Sequence, residues 1–275
     1  MATPAETAPP SVPLRDAASV VLIRDGAAAP EAFTLTRAST MAFSAGATVF
    51  PGGGVDDADT LEDSFFTDVD LTGWARAFGD GEETVRRLLV AAVRETFEEC
   101  GVLLARAEHG GFADPQAFEA HRCALEAHEL SMSSFLTESG LRPDFSLLRP
   151  LARWVTPEDQ PRRYDTRFFL ARLPQNQEAA HTTGEAVAAD WMSPHQAFEL
   201  FRNGRTDLMP PTWSQFRELG RFASAAAAMA PGVGQPVPQV RPVTVPGSQP
   251  RKVRFPHDAD YYADSPAHRG LTPGS

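Results

Sequence analysis

Short apolar runs bounded by turn residues alternate along the chain with longer stretches whose apolar positions recur at helical spacing. Ala17 to Arg24, with Val20, Val21 and Ile23 ahead of Asp25-Gly26, predicts a buried strand. Phe33 to Thr36 alternates and predicts a partner strand, and Thr48-Val49-Phe50 predicts a third, ended by Pro51. The run Leu88, Leu89, Ala91, Ala92 and Val93 belongs to a helix from Glu82 to Cys100, stopped by Gly101. Asp114-Pro115 opens a helical stretch to Gly140, with Phe118, His121, Leu125, His128 and Met132 at helical spacing. Strands are predicted at Arg149–Thr156, Tyr164–Leu173 and Glu185–Trp191. Ser193-Pro194 caps a helix to about Asn203, and Pro210-Pro211-Thr212 leads into a last helix over Trp213–Met229.

The ends lack such periodicity. Residues 1–14 predict a disordered arm, and 231–275 a proline-rich C-terminal extension, extended or partly disordered. Val240–Val245 and Val253–Phe255 could lie on the domain as edge strands. Between them, 15–230 reads as one domain, and 275 residues suffice for a sizeable core. A net charge of −11 argues against a nucleic-acid scaffold but not against a small anionic substrate carried by metal. No apolar run approaches the roughly 18–20 residues of a membrane helix, and no secretory signal is visible at the N-terminus. Cys100 and Cys123 read as free thiols, which favours a cytoplasmic setting. His121 and His128 share a helical face and read as edges of a packing stripe in the absence of a third ligand.

The chemistry concentrates at Arg94-Glu95-Thr96-Phe97-Glu98-Glu99-Cys100-Gly101-Val102. Glu95, Glu98 and Glu99 stand at i, i+3 and i+4, so three carboxylates crowd one helical face and repel one another. A cation held among them would reverse that sign, and hard oxygen donors suit Mg²⁺, Mn²⁺ or Ca²⁺. The stretch resembles the second half of the Nudix box, Arg-Glu-U-x-Glu-Glu-x-Gly-U, with Thr96 departing at the first aliphatic position U. Phe50-Pro51-Gly52-Gly53 resembles the box's strand-end Pro-Gly-Gly, and Asp59 falls where the family has a glutamate. Between Asp59 and Arg94 lie 34 residues, against the usual seven, so an insertion sits inside the box, at about 60–81. Its acidic and aromatic residues read as a packed flap rather than a second metal site.

The resemblance implies the α/β (α+β) class: a Nudix α/β/α sandwich with a mixed sheet, a helical cap near 114–140 and an extended tail. Trp154-Val155-Thr156-Pro157, Arg162-Arg163-Tyr164-Asp165-Thr166-Arg167-Phe168-Phe169-Leu170 and Trp191-Met192-Ser193-Pro194 are similar to strings of the peroxisomal-type coenzyme A diphosphatase subfamily. They imply cleavage of CoA or acyl-CoA to 3′,5′-ADP and (acyl-)phosphopantetheine. Leu35-Thr36-Arg37 fits the start of a second CoA signature, but Phe43-Ser44-Ala45-Gly46 lacks its later arginine and glutamate. By resemblance Glu98, Glu99 and a carbonyl of Gly52 or Gly53 are metal ligands for Mg²⁺ or Mn²⁺, and Glu95 is a third ligand or the base. Arg94 orients a glutamate, and Glu185, six residues before Trp191, is a second catalytic carboxylate. Arg37, Arg162 and Arg163 are candidates for the substrate phosphates. The expected partner is a small nucleotide-type molecule, with no membrane; a homodimer is one assembly left open. ADP-ribose, NADH or nucleoside triphosphates are alternative substrates, and a non-catalytic ligand sensor is the alternative of another class.

Overall fold

A computed structural model describes residues 12–38, 46–107, 110–181, 183–184 and 186–268. The chain opens with β1 (Leu14–Asp25), β2 (Pro30–Arg37), β3 (Ala47–Val49) and β4 (Gly52–Gly54). The insertion contributes α1 (Leu71–Phe78), and α2 (Glu82–Cys100) follows. Next come β5 (Ala105–Ala107), α3 (Glu119–Glu126), α4 (Met132–Ser139) and β6 (Leu141–Pro143). The long strands β7 (Leu148–Val155) and β8 (Arg163–Arg172) precede β9 (Ala186–Met192) and α5 (Pro194–Arg202). Last are β10 (Asp207–Leu208), α6 (Pro210–Leu219), α7 (Ala225–Met229), β11 (Gln239–Val240), β12 (Val243–Thr244), β13 (Val253–Arg254) and α8 (Asp258–Asp264).

The central strand is β1. It is buried from Val20 to Ile23, pairs antiparallel with β2 and β4, and runs parallel to β8 from Leu14↔Arg163 to Ile23↔Arg172. Antiparallel β7 and then parallel β11 extend the sheet beyond β8, so the sheet is mixed. Its two faces carry separate cores. One holds α1, α2 and the 113–145 segment, the other α5, α6, α7 and the C-terminal segment. Both faces are thereby covered, which explains why β1 and β8 are apolar on both sides rather than alternating.

Helix α2 has the predicted bounds. Gly101 ends it at φ 66°, its N–H returning to the Phe97 carbonyl. Thr96, where the box pattern has an aliphatic residue, is buried and bonds its hydroxyl to the Ala92 carbonyl at 2.7 Å, so the polar group is satisfied within the helix. Two predicted helices are each broken in two. The 114–140 stretch turns at His128 (φ 55°), and Ser131 caps a fresh helix by accepting from Ser134 N–H. The 213–229 stretch breaks after Gly220, and Ser224 caps α7 by accepting from Ala227 N–H.

Within the insertion Phe66 stacks on Phe145 at 5.4 Å, and Trp74 and Phe78 meet Phe169 of β8. Two of its acidic residues take structural roles. Asp70 caps α1, and Asp80 holds buried Arg167 bidentately at 2.9 and 2.6 Å. Arg153 reaches the same Asp80 and clamps Asp165, while Arg167 also meets Asp16. The C-terminal segment is extended up to α8 and anchored: Val237 N–H bonds the Ala77 carbonyl, the Gln239 side-chain amide bonds the Phe78 carbonyl, and β11 lies along β7. Beyond it, Tyr261 of α8 donates its hydroxyl to the Leu208 carbonyl in the α5–α6 core.

Arg167 is 2% exposed, so removing its bidentate partner leaves a buried charge short of an anion. Asp80→Ala is expected to lower unfolding free energy by about 3 kcal/mol, the lower end for a broken buried pair because Asp16 and Asp165 remain. Urea unfolding monitored by tryptophan fluorescence measures it.

Candidate active site

The last turns of α2 face the glycine turn at β4, and the strand pairing dictates why glycine stands there. Ser19↔Gly52 and Ala18↔Gly53 are paired, and at Gly52, with φ 149°, a Cβ would sit 2.3 Å from the Ala18 carbonyl oxygen. At Gly53 a Cβ would meet Glu95 Oε1 at 2.5 Å, so the missing side chain makes room for that carboxylate.

Arg94 sits in the middle. Its guanidinium clamps Asp59 through Nε (2.7 Å) and Nη2 (3.0 Å), and Nη2 also donates to the Gly54 carbonyl at 3.0 Å. Nη1 lies 2.8 Å from Glu95 Oε1 and 3.0 Å from Glu98 Oε2. Asp59 is 1% exposed and is further tied by the Asp56 N–H. The arginine is thereby held protonated well above its ordinary range, the anions around it outweighing its burial. Burial pushes the Glu95 carboxyl up to about 7, with Glu98 adding to the shift and Arg94 opposing it. Glu98 is raised for the same leading reason. Glu99 accepts the Gly52 N–H at 2.9 Å.

Arg94, the three glutamates and Gly52–Gly54 line a cavity of about 590 Å³, whose walls also include Arg15, Asp16, Arg87, Glu126, His128 and Tyr164. Arg15 and Tyr164 are neighbours because β1 and β8 pair Arg15↔Tyr164. The sequence patterns had pointed to none of these six as site residues. The signal for Arg15 and Tyr164 is a strand pairing between residues far apart in the chain, and the other four arrive on separate elements.

The predicted residues do not all converge here. Glu95, Glu98, Glu99, Gly52, Gly53 and Arg94 do. Arg37 lines a small adjoining cavity of about 30 Å³ together with Gly52 and Glu99, its buried Nε without a hydrogen-bond partner among the described residues. Arg162 is exposed, and Arg163 turns to the Thr156 and Val12 carbonyls beside a different cavity, so neither lines the cavity at the glutamates. Glu185 and Phe43-Ser44-Ala45 lie outside the described residues. His121 packs against Phe118 and Phe135, whereas His128 is exposed at the cavity rim, 3.8 Å from Asp56.

The donor set fits a hard divalent cation: carboxylates on one helical turn facing glycine backbone. Among the described residues no three His, Cys, Asp or Glu side chains converge as a ready-made cage. The hydrogen bonds give the reason: Arg94 holds Glu95 and Glu98, and Gly52 holds Glu99.

The architecture has known relatives. A family model described as the NUDT19 Nudix domain matches residues 82–222. Human acyl-coenzyme A diphosphatase NUDT19 is 32% identical over 147 residues, 49% of this chain and 39% of its own. The Xenopus laevis protein of that name is 25% identical over 235 residues, 71% of this chain and 60% of its own. The crystal structure of a NUDIX hydrolase from Alicyclobacillus acidocaldarius aligns with a TM-score of 0.65 at 31% identity, over 82% of this chain and 99% of that one. The chain thus spans 39% and 60% of the length of those two curated relatives.

Losing Asp59 strands Arg94 in a site where both are nearly inaccessible. Asp59→Ala is expected to cost about 3–5 kcal/mol of stability and Asp59→Asn less, since the amide oxygen still accepts. Chemical denaturation of both variants gives the order.

Proposed function

From the premise that the chain belongs to the Nudix hydrolase family, we propose that it hydrolyses the diphosphate linkage of CoA or acyl-CoA to 3′,5′-ADP and (acyl-)phosphopantetheine. The observation that carries the reading is the Arg94-centred array of Glu95, Glu98 and Glu99 around the Gly52–Gly54 turn, inside a cavity large enough for a nucleotide. The activity named for the human and Xenopus relatives supports the choice of substrate.

Glu98 and Glu99 would hold Mg²⁺ or Mn²⁺, together with a carbonyl of Gly52 or Gly53, and Glu95 would serve as third ligand or base. Bound there, such an ion neutralises the charge that makes a diphosphate resist nucleophiles and acidifies bound water. The chain itself supplies position. Arg94 fixes the glutamate side chains through charge-assisted hydrogen bonds, and Asp59 fixes Arg94. Glu95, whose carboxyl is raised to about 7, is suited to accept a proton from water near neutral pH. Glu185 is retained as a second carboxylate for that role. Arg37, beside Glu99, and Arg15 and Arg87, on the cavity wall, place cations within reach of substrate phosphates.

A panel of CoA, acyl-CoA, NADH, ADP-ribose and dNTPs, assayed with Mg²⁺ or Mn²⁺ and with products identified, tests the reading. CoA thioesters should give 3′,5′-ADP, and Glu99→Gln should lower kcat by at least about 100-fold, the scale of losing one group that stabilises transition-state charge. Preferred turnover of ADP-ribose, NADH or dNTPs would reassign the substrate. Tight binding without turnover of anything would make the protein a ligand sensor.

Cation binding should also register without substrate. At about 100 times its dissociation constant, Mn²⁺ should stabilise the wild type by about 2.7 kcal/mol. The effect should shrink in Glu98→Gln and Glu99→Gln, as read by thermal melts with and without EDTA.

A further inference from the structure

A second groove among the described residues lies on the other face of the sheet from α2. It measures about 920 Å³, within the range of small-molecule sites, and shares no lining residue with the glutamate cavity. Its floor is β7, one side is α6 with the turn after it, and the other is the proline-rich segment 231–240. Leu151, Trp154, Phe198, Phe222 and Val240 supply its apolar stretch, beside polar residues of β7 and α6. Three prolines of the segment, Pro231, Pro236 and Pro238, stiffen that wall and offer no backbone N–H.

One charge in this setting is unexplained. Arg149 is half-buried, and its guanidinium lies 5.7 Å from the Phe222 ring centre. Its Nη1 reaches only the Pro150 carbonyl at 3.3 Å, and its buried Nε has no acceptor among the described residues. The other two arginines of the groove are matched: Arg217 with Asp260 at 3.3 Å and Arg221 with Glu218 at 3.0 Å. Burial without a partner makes the charged form of Arg149 harder to hold, with Glu218 opposing only in part. A cation kept where it costs stability is complementary to an anion arriving from outside.

We propose that this groove is a second binding site, for an aliphatic carboxylate whose carboxyl group pairs with Arg149 and whose chain lies along Leu151, Trp154, Phe222 and the proline-rich wall. A single guanidinium matches one carboxylate through two parallel hydrogen bonds, while apolar walls reward a hydrocarbon chain and give a nucleotide few donors. An extended peptide is disfavoured because β11 already occupies the edge of β7 that a visiting strand would need. The site is independent of the diphosphate reading, so either can fail alone.

Dodecanoate, kept below its micelle concentration, is titrated into the full chain by calorimetry and tryptophan fluorescence, Trp154 being a wall residue. One saturable site per chain is expected. Dodecanol, which lacks the charge, and Arg149→Met should each bind at least about tenfold more weakly. Glu99→Gln should bind dodecanoate like wild type, and Arg149→Met should melt no lower than wild type. No saturable binding, or equal affinity in wild type and Arg149→Met, overturns the proposal. A lower melting temperature for Arg149→Met overturns it too, by making the arginine structural. So does a self-associated form that Arg149→Met dissolves and dodecanoate does not displace, since the groove is then a contact between two copies of the chain.

Discussion

A buried arginine among acids organises one end of this molecule. Arg94 binds Asp59, Glu95, Glu98 and the Gly54 carbonyl with a single guanidinium. Each partner comes with a constraint: Asp59 sits before the insertion, Gly54 on β4, and the glutamates on the helix that carries Arg94 itself. Without that cation the carboxylates would repel one another and lose their positions. With it, helix, glycine turn and insertion boundary are locked in one geometry. The proposed cation chemistry needs this second layer, because glutamates with free rotamers would lose entropy on binding an ion.

The same device is repeated across the sheet. Arg167 and Arg153 gather Asp16, Asp80 and Asp165, which ties the end of the insertion to β1, β7 and β8. Asp16 also lines the glutamate cavity, so the two charge networks meet at its wall. An insertion of this length inside a catalytic motif could be expected to loosen it. Instead its aromatic residues pack into the core of α2, and Asp59 just before it and Asp80 near its end are each pinned by a buried arginine. Loop-closure entropy grows only slowly with length, so the insertion costs little once both ends are held.

The C-terminal segment shows how far composition reaches. Proline recurrence implies an extended chain, and the segment is extended over its proline-rich part but ends in the short helix α8. What anchors it is the backbone bond from Val237 N–H to the Ala77 carbonyl, the Gln239 side-chain amide on the Phe78 carbonyl and the pairing with β7, together with Tyr261 and Phe255 in the second core. The apolar stretches at Val240 and Val253–Phe255 suggest edge strands by themselves, but which strand or core receives them depends on where a remote element presents a carbonyl or an apolar face.

Much of the site was legible because its key residues are close in sequence. Glu95, Glu98 and Glu99 share a face by helical periodicity alone, Gly101 ends the helix through a positive φ, and the glycines mark a place of close approach. Those inferences use only chain geometry within a few turns. The breaks at His128 and Gly220 were not legible, because apolar spacing continues through them while Ser131 and Ser224 restart the helices. Nor was the company the glutamates keep. Arg15 beside Tyr164, Asp59 on Arg94, and Arg163 turned away from the cavity all follow from strand register and from which face each element buries. Local periodicity determines what one element can present; only long-range pairing decides what it is presented to.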